Sequence, residues 1–360
     1  MIIYLYLICD KIETLYFYKE TYNMFWLIVL YLVALVAMVF LSIKLGDLVD
    51  LLDKKTKVSG AFIGSVLLGA VTSLPELFTS ISSIFVVHNP SLVIGDIMGS
   101  DIFDMMALIV ITFIFAKNFF EAKLSSKLHL LNLAVLSVFY LLALYAVFVP
   151  ANYQIMLGDI NLISIVIFIG YILLLIFSPK DSEDEKDETN SKLTIKQILL
   201  LFFLCAVLLI SISVAITYLT DSICTKIGIN GTAGGAILLG IATSIPEIIS
   251  TAHLFRIKNY DAGYGNMIGS CTFNFAVISL ADFMSWSHMA GNEISSRGIW
   301  MQNADSKLIL IFGALTLISL IGFIALKSFT NLIKGKKSSF VVSGIFAAIT
   351  LTFYILTFVL

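Results

Sequence analysis

Two stretches decide how this chain is read: Gly69-Ala-Val-Thr-Ser-Leu-Pro-Glu76 and Gly240-Ile-Ala-Thr-Ser-Ile-Pro-Glu247. Each sets a proline and a carboxylate inside an otherwise apolar run. An acid at the centre of a bilayer costs roughly 2.5–3.5 kcal/mol on insertion scales. Its occurrence twice, at matched positions, points to function.

The surroundings of the two stretches are those of a membrane protein. Of 360 residues 59% are hydrophobic and 13% charged, and the mean hydropathy is +1.00, which excludes an ordinary soluble domain. Apolar runs long enough to span, about 20 residues each, lie near 25–46, 60–87, 91–116, 128–149, 160–178, 197–220, 231–255, 262–284, 308–326 and 339–360. About ten transmembrane helices are predicted. All Lys and Arg except Lys11, Lys19, Lys226, Arg297 and Lys307 fall in or beside the loops after the odd-numbered spans. The positive-inside rule then places those loops in the cytoplasm and both termini outside. Cys9, Cys205, Cys224 and Cys271 show no metal-ligand spacing and read as free thiols.

Residues 1–23 form an N-terminal segment of uncertain status, with nine apolar residues followed by a polar stretch, and translation could start at Met1 or Met24. Residues 24–178 hold five spans, 179–195 an acidic linker predicted to be cytoplasmic, and 196–360 five more. Asp47, Asp50 and Asp53, spaced by three, read as a solvated helix end, and Trp286 and Trp300 as interfacial anchors on the outer face.

The halves repeat. Ser59-Gly60 through Glu76 matches Asn230-Gly231 through Glu247 at an offset of 171. Downstream, Gly95-Asp-Ile-Met-Gly-Ser-Asp-Ile-Phe-Asp104 matches Gly265-Asn-Met-Ile-Gly-Ser-Cys-Thr-Phe-Asn274 at an offset of 170. Five spans per copy is odd, so the second copy enters the membrane from the opposite side. Such inverted repeats place their substrate site near the midplane, at the interface between copies. The predicted fold is thus an all-α polytopic membrane protein of two inverted five-helix repeats.

Pro75 and Pro246 cannot donate to the carbonyls of Val71 and Ala242, and each displaces its preceding residue from helical geometry. Both spans are therefore predicted to break into half-helices, with loose carbonyls that a cavity or a bound ion must satisfy. Thr72, Ser73 and Glu76 lie within one turn of the first break, and Thr243, Ser244 and Glu247 within one turn of the second. In the facing spans Ser100 and Asp104 share a helix face, as do Ser270 and Asn274. Together these offer three carboxylates, an amide oxygen, hydroxyls and carbonyls, which suits a hard cation such as calcium with its six to eight oxygen ligands. Asp96 and Asp101 stand apart from this set.

On these paired motifs the chain resembles the sodium/calcium exchangers of the cation/calcium antiporter superfamily, in their archaeal and bacterial ten-helix form, and the resemblance covers both halves. It implies a shared site in which the glutamates bind calcium and sodium by turns. Glu76 and Glu247 would be the central calcium ligands, and Thr72, Ser73, Thr243, Ser244, Ser100 and Ser270 would complete the calcium and sodium sites. The chain departs from the pattern at Val71 and Ala242, where glycine is expected, and at Asp101 and Cys271, where asparagine is common. Asp104 and Asn274 reverse the order of acid and amide found in some relatives.

The implied function is secondary active antiport of calcium against sodium by alternating access at one site. A calcium/proton or potassium-dependent antiporter is the alternative, and a cation channel a remote one. No His-Glu-x-x-His or Gly-x-Ser-x-Gly pattern marks an enzyme. No cofactor is expected besides the transported ions, and no nucleic-acid partner. The lipid bilayer, most simply the plasma membrane, is the expected setting, and a monomer suffices.

Overall fold

The structure, a computed structural model, describes residues 24–85, 91–116, 126–150, 153–158, 160–179, 191, 193–227, 233–285, 299–301, 306–328 and 336–359. The N-terminal segment, the charged body of the linker, the turn between the second and third spans, and Trp286 lie outside the described residues.

Ten helical segments, counting a composite second one, occur among the described residues. They comprise α1 (Met24–Lys55), a composite second span, α4 (Ser91–Ile114), α5 (Ser126–Phe148), α6 (Leu162–Phe177), α7 (Ile195–Ile227), α8 (Ala233–Arg256), α9 (Tyr260–Met284), α10 (Ser306–Ser328) and α11 (Lys336–Val359). The second span is α2 (60–72), which carries a π-helical stretch at Ile63–Leu68, followed by α3 (Leu74–Phe85). A two-stranded hairpin, β1 (Met156–Leu157) with β2 (Ile160–Asn161), leads into α6. Among the described residues seven helical segments, the composite second one included, are long and apolar enough to cross a membrane, and α6 and residues 341–356 of α11 are shorter apolar helices.

The packing interlocks the halves. α4 of the first half packs on α10 and α11 of the second, while α9 of the second packs on α5 and α6 of the first. α2 lies against α9, its mirror pair α8 lies against α4, and α1 lies along α7. Every one of these pairings maps onto another, or onto itself, when the halves are exchanged. α4 and α9 are the core, 72% and 78% buried over their apolar windows, against 17% for α1 and 28% for α7. The outer faces of the peripheral pair carry Phe25, Val36, Phe40, Leu200, Phe203 and Leu208, all exposed. Apolar exposure on that scale fits hydrocarbon rather than water.

Of the two predicted helix breaks, one is present. Ser73 leaves helical geometry at φ −90° and ψ 10°, and α3 restarts at Leu74 with Pro75 in its first turn, where a missing amide hydrogen costs nothing. The second copy differs: α8 runs unbroken through Pro246. There the proline stays inside the helix, and the Ser250 hydroxyl donates to the Pro246 carbonyl at 2.6 Å.

Two further expectations are corrected. The Asp47, Asp50 and Asp53 face is not simply solvated. Asp47 meets His253 at 2.7 Å, and Asn259 donates to both Asp50 and Asp53 at 3.0 Å, pinning the end of α1 to the α8–α9 turn. Trp300 is fully buried, and its indole N–H donates to Ser164 at 2.8 Å. Ser164 in turn donates to Asp282 at 2.7 Å. A polar partner inside the fold holds the indole there. Cys205 and Cys271 are free thiols.

Candidate cation site at the crossing of the repeats

The helix break and its counterpart in α8 bring their side chains to the crossing of α4 and α9. Thr72, Ser73, Glu76, Ser100, Asp104, Thr243, Ser244, Glu247, Ser270 and Asn274 are each at most 3% exposed. The approach is close enough that a Cβ on Gly69 would stand 2.9 Å from the Ser270 backbone nitrogen. Small residues here let backbones meet.

Hydrogen bonds tie the two copies to each other. The Ser73 hydroxyl of the first copy donates to Glu247 Oε1 of the second at 3.0 Å. Ser100 donates to Glu76 Oε1 at 3.2 Å and stands 2.7 Å from the Ser244 hydroxyl. Ser270 reaches Asp104 Oδ2 at 3.4 Å. The three carboxylates thus each hold a serine on one oxygen, while Glu76 Oε2, Glu247 Oε2 and Asp104 Oδ1 are buried without a hydrogen-bond partner. No Lys or Arg forms an ion pair with them among the described residues. Buried acceptors with neither donor nor countercharge are costly, and a cation would satisfy both requirements.

The carboxylates do not form a single clasp. Among the described residues no three His, Cys, Asp or Glu side chains converge on one metal position. Serine hydroxyls bond to the acids instead, which suits several cation positions rather than one cage. Two of the predicted groups also bond outside the set. Thr72 donates back to the Leu68 carbonyl at 3.0 Å, and the Asn274 amide donates to Asp101 Oδ1 at 2.8 Å.

A supporting layer is absent from the set the sequence singles out. Thr79 donates to the Glu76 carbonyl and to Asp96 Oδ2, both at 2.9 Å. In the other copy Ser250 donates to the Glu247 carbonyl at 3.2 Å, and Asn266 donates to Ser250 at 3.0 Å. Thr79 aligns with Ser250 and Asp96 with Asn266 at the same offsets of 171 and 170. Asp96 and Asn266 already stand in the matched stretches, and extending the other alignment by one helical turn would have found Thr79 and Ser250.

A buried set of oxygen-bearing side chains between two interlocked, exchange-related halves fits a membrane ion antiporter of the inverted-repeat kind. The sequence matches the family model for sodium/calcium exchanger protein over residues 26–178 and 197–360, and the chain belongs to that family. Among solved structures, the sodium-calcium exchanger NCX_Mj soaked with 10 mM Na+ and zero Ca2+ is similar at 17% identity and a TM-score of 0.64. That match covers 93% of this chain and 98% of the other. The same exchanger soaked with 10 mM Na+ and 10 mM Sr2+ is similar at 17% identity and a TM-score of 0.63, covering 92% and 99%. The H+/Ca2+ exchanger CAX is similar at 14% identity and a TM-score of 0.60, covering 97% and 91%. At these identities the structures speak for the fold. Among curated proteins no sequence match was found.

Proposed function

We propose that the chain exchanges calcium for sodium across the plasma membrane by alternating access at the α4–α9 crossing. Glu76 and Glu247 serve as the central calcium ligands. Asp104, Asn274, Thr72, Ser73, Ser100, Thr243, Ser244 and Ser270 complete the calcium and sodium positions. The observation that carries this reading is the bonding across the copies, Ser73 to Glu247 and Ser100 to Ser244, with Ser100 also on Glu76, which brings the two distant motifs together.

The charge balance supplies the coupling. Glu76, Glu247 and Asp104 lie close enough to repel one another, and the empty site, lacking a countercharge, is too costly to turn across the membrane. Only the calcium-loaded or sodium-loaded site reorients, and that restriction is what makes the process exchange rather than leak. With Asp104 protonated, one calcium balances the two glutamates. The lysine-rich loops lie in the cytoplasm and the termini outside, and the monomer contains the whole site.

The second reading is calcium/proton exchange, favoured by the similarity of the fold to the H+/Ca2+ exchanger. Calcium uptake into proteoliposomes decides between them. Uptake driven by an outward sodium gradient, and abolished in Glu76→Gln and Glu247→Gln, is the outcome expected. Indifference to sodium together with a response to a pH gradient selects the proton-coupled reading. Full transport in both glutamine variants refutes the site.

A further inference from the structure

Asp101 does not belong to the repeated ligand set. Its counterpart in the second copy is Cys271, it is fully buried on α4, and it neighbours Tyr140 and Asp104. Its Oδ1 accepts the Asn274 side-chain amide at 2.8 Å. Asn274 Oδ1, at the other end of the same planar amide, is buried without a hydrogen-bond partner.

An amide has two unlike ends. Its nitrogen end donates and repels a cation, and its oxygen end accepts and binds one. Nothing in the covalent structure of Asn274 decides which end faces the site, since rotation about its last side-chain bond exchanges them. A carboxylate can only accept, so Asp101 decides it. With the nitrogen end held against Asp101, the oxygen end is turned away from it. The mirror position is Asp104, a carboxylate whose two oxygens are equivalent and need no such steering. The reversed acid and amide in this chain therefore create a need for orientation in the second copy, and Asp101, in the first, meets it across the interface.

We infer that Asp101 is a positioning residue of the cation site, fixing the Asn274 amide so that Oδ1 faces the transported cation. The inference rests on the cation-exchange reading above. It assigns Asp101 the part of an acceptor and not of a ligand, and outer groups of this kind set metal affinity through the ligands they orient.

The test uses the full-length protein in detergent, with equilibrium binding of radioactive calcium and initial rates of calcium uptake in proteoliposomes. Asp101→Ala leaves the amide free to turn, and apparent calcium affinity falls about tenfold or more, with the maximal rate changing less. Asp101→Asn retains an acceptor oxygen at the same reach and restores affinity to within about threefold of the parent. On an Asn274→Leu background Asp101→Ala produces no further loss, because the group it steers is gone. Where Asp101→Ala does not yield a monodisperse protein, Asp101→Ser, too short to reach Asn274, takes its place.

If Asp101→Asn is as weak as Asp101→Ala, the charge and not the acceptor matters, and the inference is overturned. It is equally overturned if Asp101→Ala binds calcium normally while Glu76→Gln and Glu247→Gln do not, a result that leaves the calcium site standing. If the glutamine variants also bind calcium normally, the site reading falls and takes the inference with it.

Discussion

At the scale of single residues, a serine meets each acid of the proposed site. Ser100 reaches Glu76 and stands against Ser244, whereas Ser73 reaches Glu247 alone. A hydrogen bond to a charged group contributes about 1.5–3 kcal/mol, or roughly ten- to a hundredfold in affinity. Ser100→Ala is expected to raise the calcium concentration for half-maximal uptake by that factor, and by more than Ser73→Ala does. Equal effects of the two substitutions would show that the Ser100–Ser244 contact contributes nothing. Glu76 and Glu247 were legible because a carboxylate in an apolar run is too costly to sit there without a charge or a donor to meet. Asn266 was less so: an amide in a glycine-rich helix attracts notice only once its partners, Ser250 and Thr251 at 3.0 and 2.8 Å, are seen.

At the scale of elements, one motif has produced two backbones. In the first copy Pro75 begins a helix, while in the second Pro246 lies inside one. An interior proline costs about 3 kcal/mol relative to alanine, but one in the first turn costs little. Pro246→Ala is therefore expected to raise thermal stability in detergent by several degrees, whereas Pro75→Ala changes it little. The reverse order would mean that the helix assignments are exchanged. The difference arises upstream. The π-helical Ile63–Leu68 stretch holds an extra residue in its turn, and the interruption at Ser73 follows it after the short Gly69–Thr72 segment. No corresponding stretch occurs in α8, which is α-helical throughout. The Thr-Ser-x-Pro-Glu motif itself, nearly identical in the two copies, contains no signal for that difference.

At the scale of the whole molecule, the exchange-related halves are not equally packed. A Cβ added at Gly265 would meet the Ala61 carbonyl at 2.5 Å, and one at Gly269 would clash with the Ser65 backbone. Their counterparts Gly95 and Gly99 have nothing within 4 Å among the described residues. The α2–α9 side of the site is therefore closed by backbone contact, while on α4 a Cβ at either position meets no described residue. Alternating access would exchange the two packings. Gly269→Ala is expected to lower expression and stability outright. Gly99→Ala is expected to fold as the parent does but to slow turnover severalfold, because the opposite state needs α4 as close to its neighbour as α9 is here. Parent-like calcium exchange rates in Gly99→Ala would show that α4 never closes in this way.

The all-helical membrane fold and its repeat could be read from sequence, as could the two glutamates that lie buried at the α4–α9 crossing, since each rests on a property of the chain itself: apolar length, matched spacing, and the cost of a buried charge. What only the tertiary structure decided depends on which groups meet across the halves. Asp101 is an odd acid in the sequence and the partner of Asn274 in the fold. Trp300 has the composition of an interfacial anchor but finds Ser164 inside. Asp47, Asp50 and Asp53 suit solvent, yet His253 and Asn259 stand within hydrogen-bonding reach. The partners lie more than a hundred residues away along the chain in each case, and the energy of a polar group depends on the neighbour it acquires there.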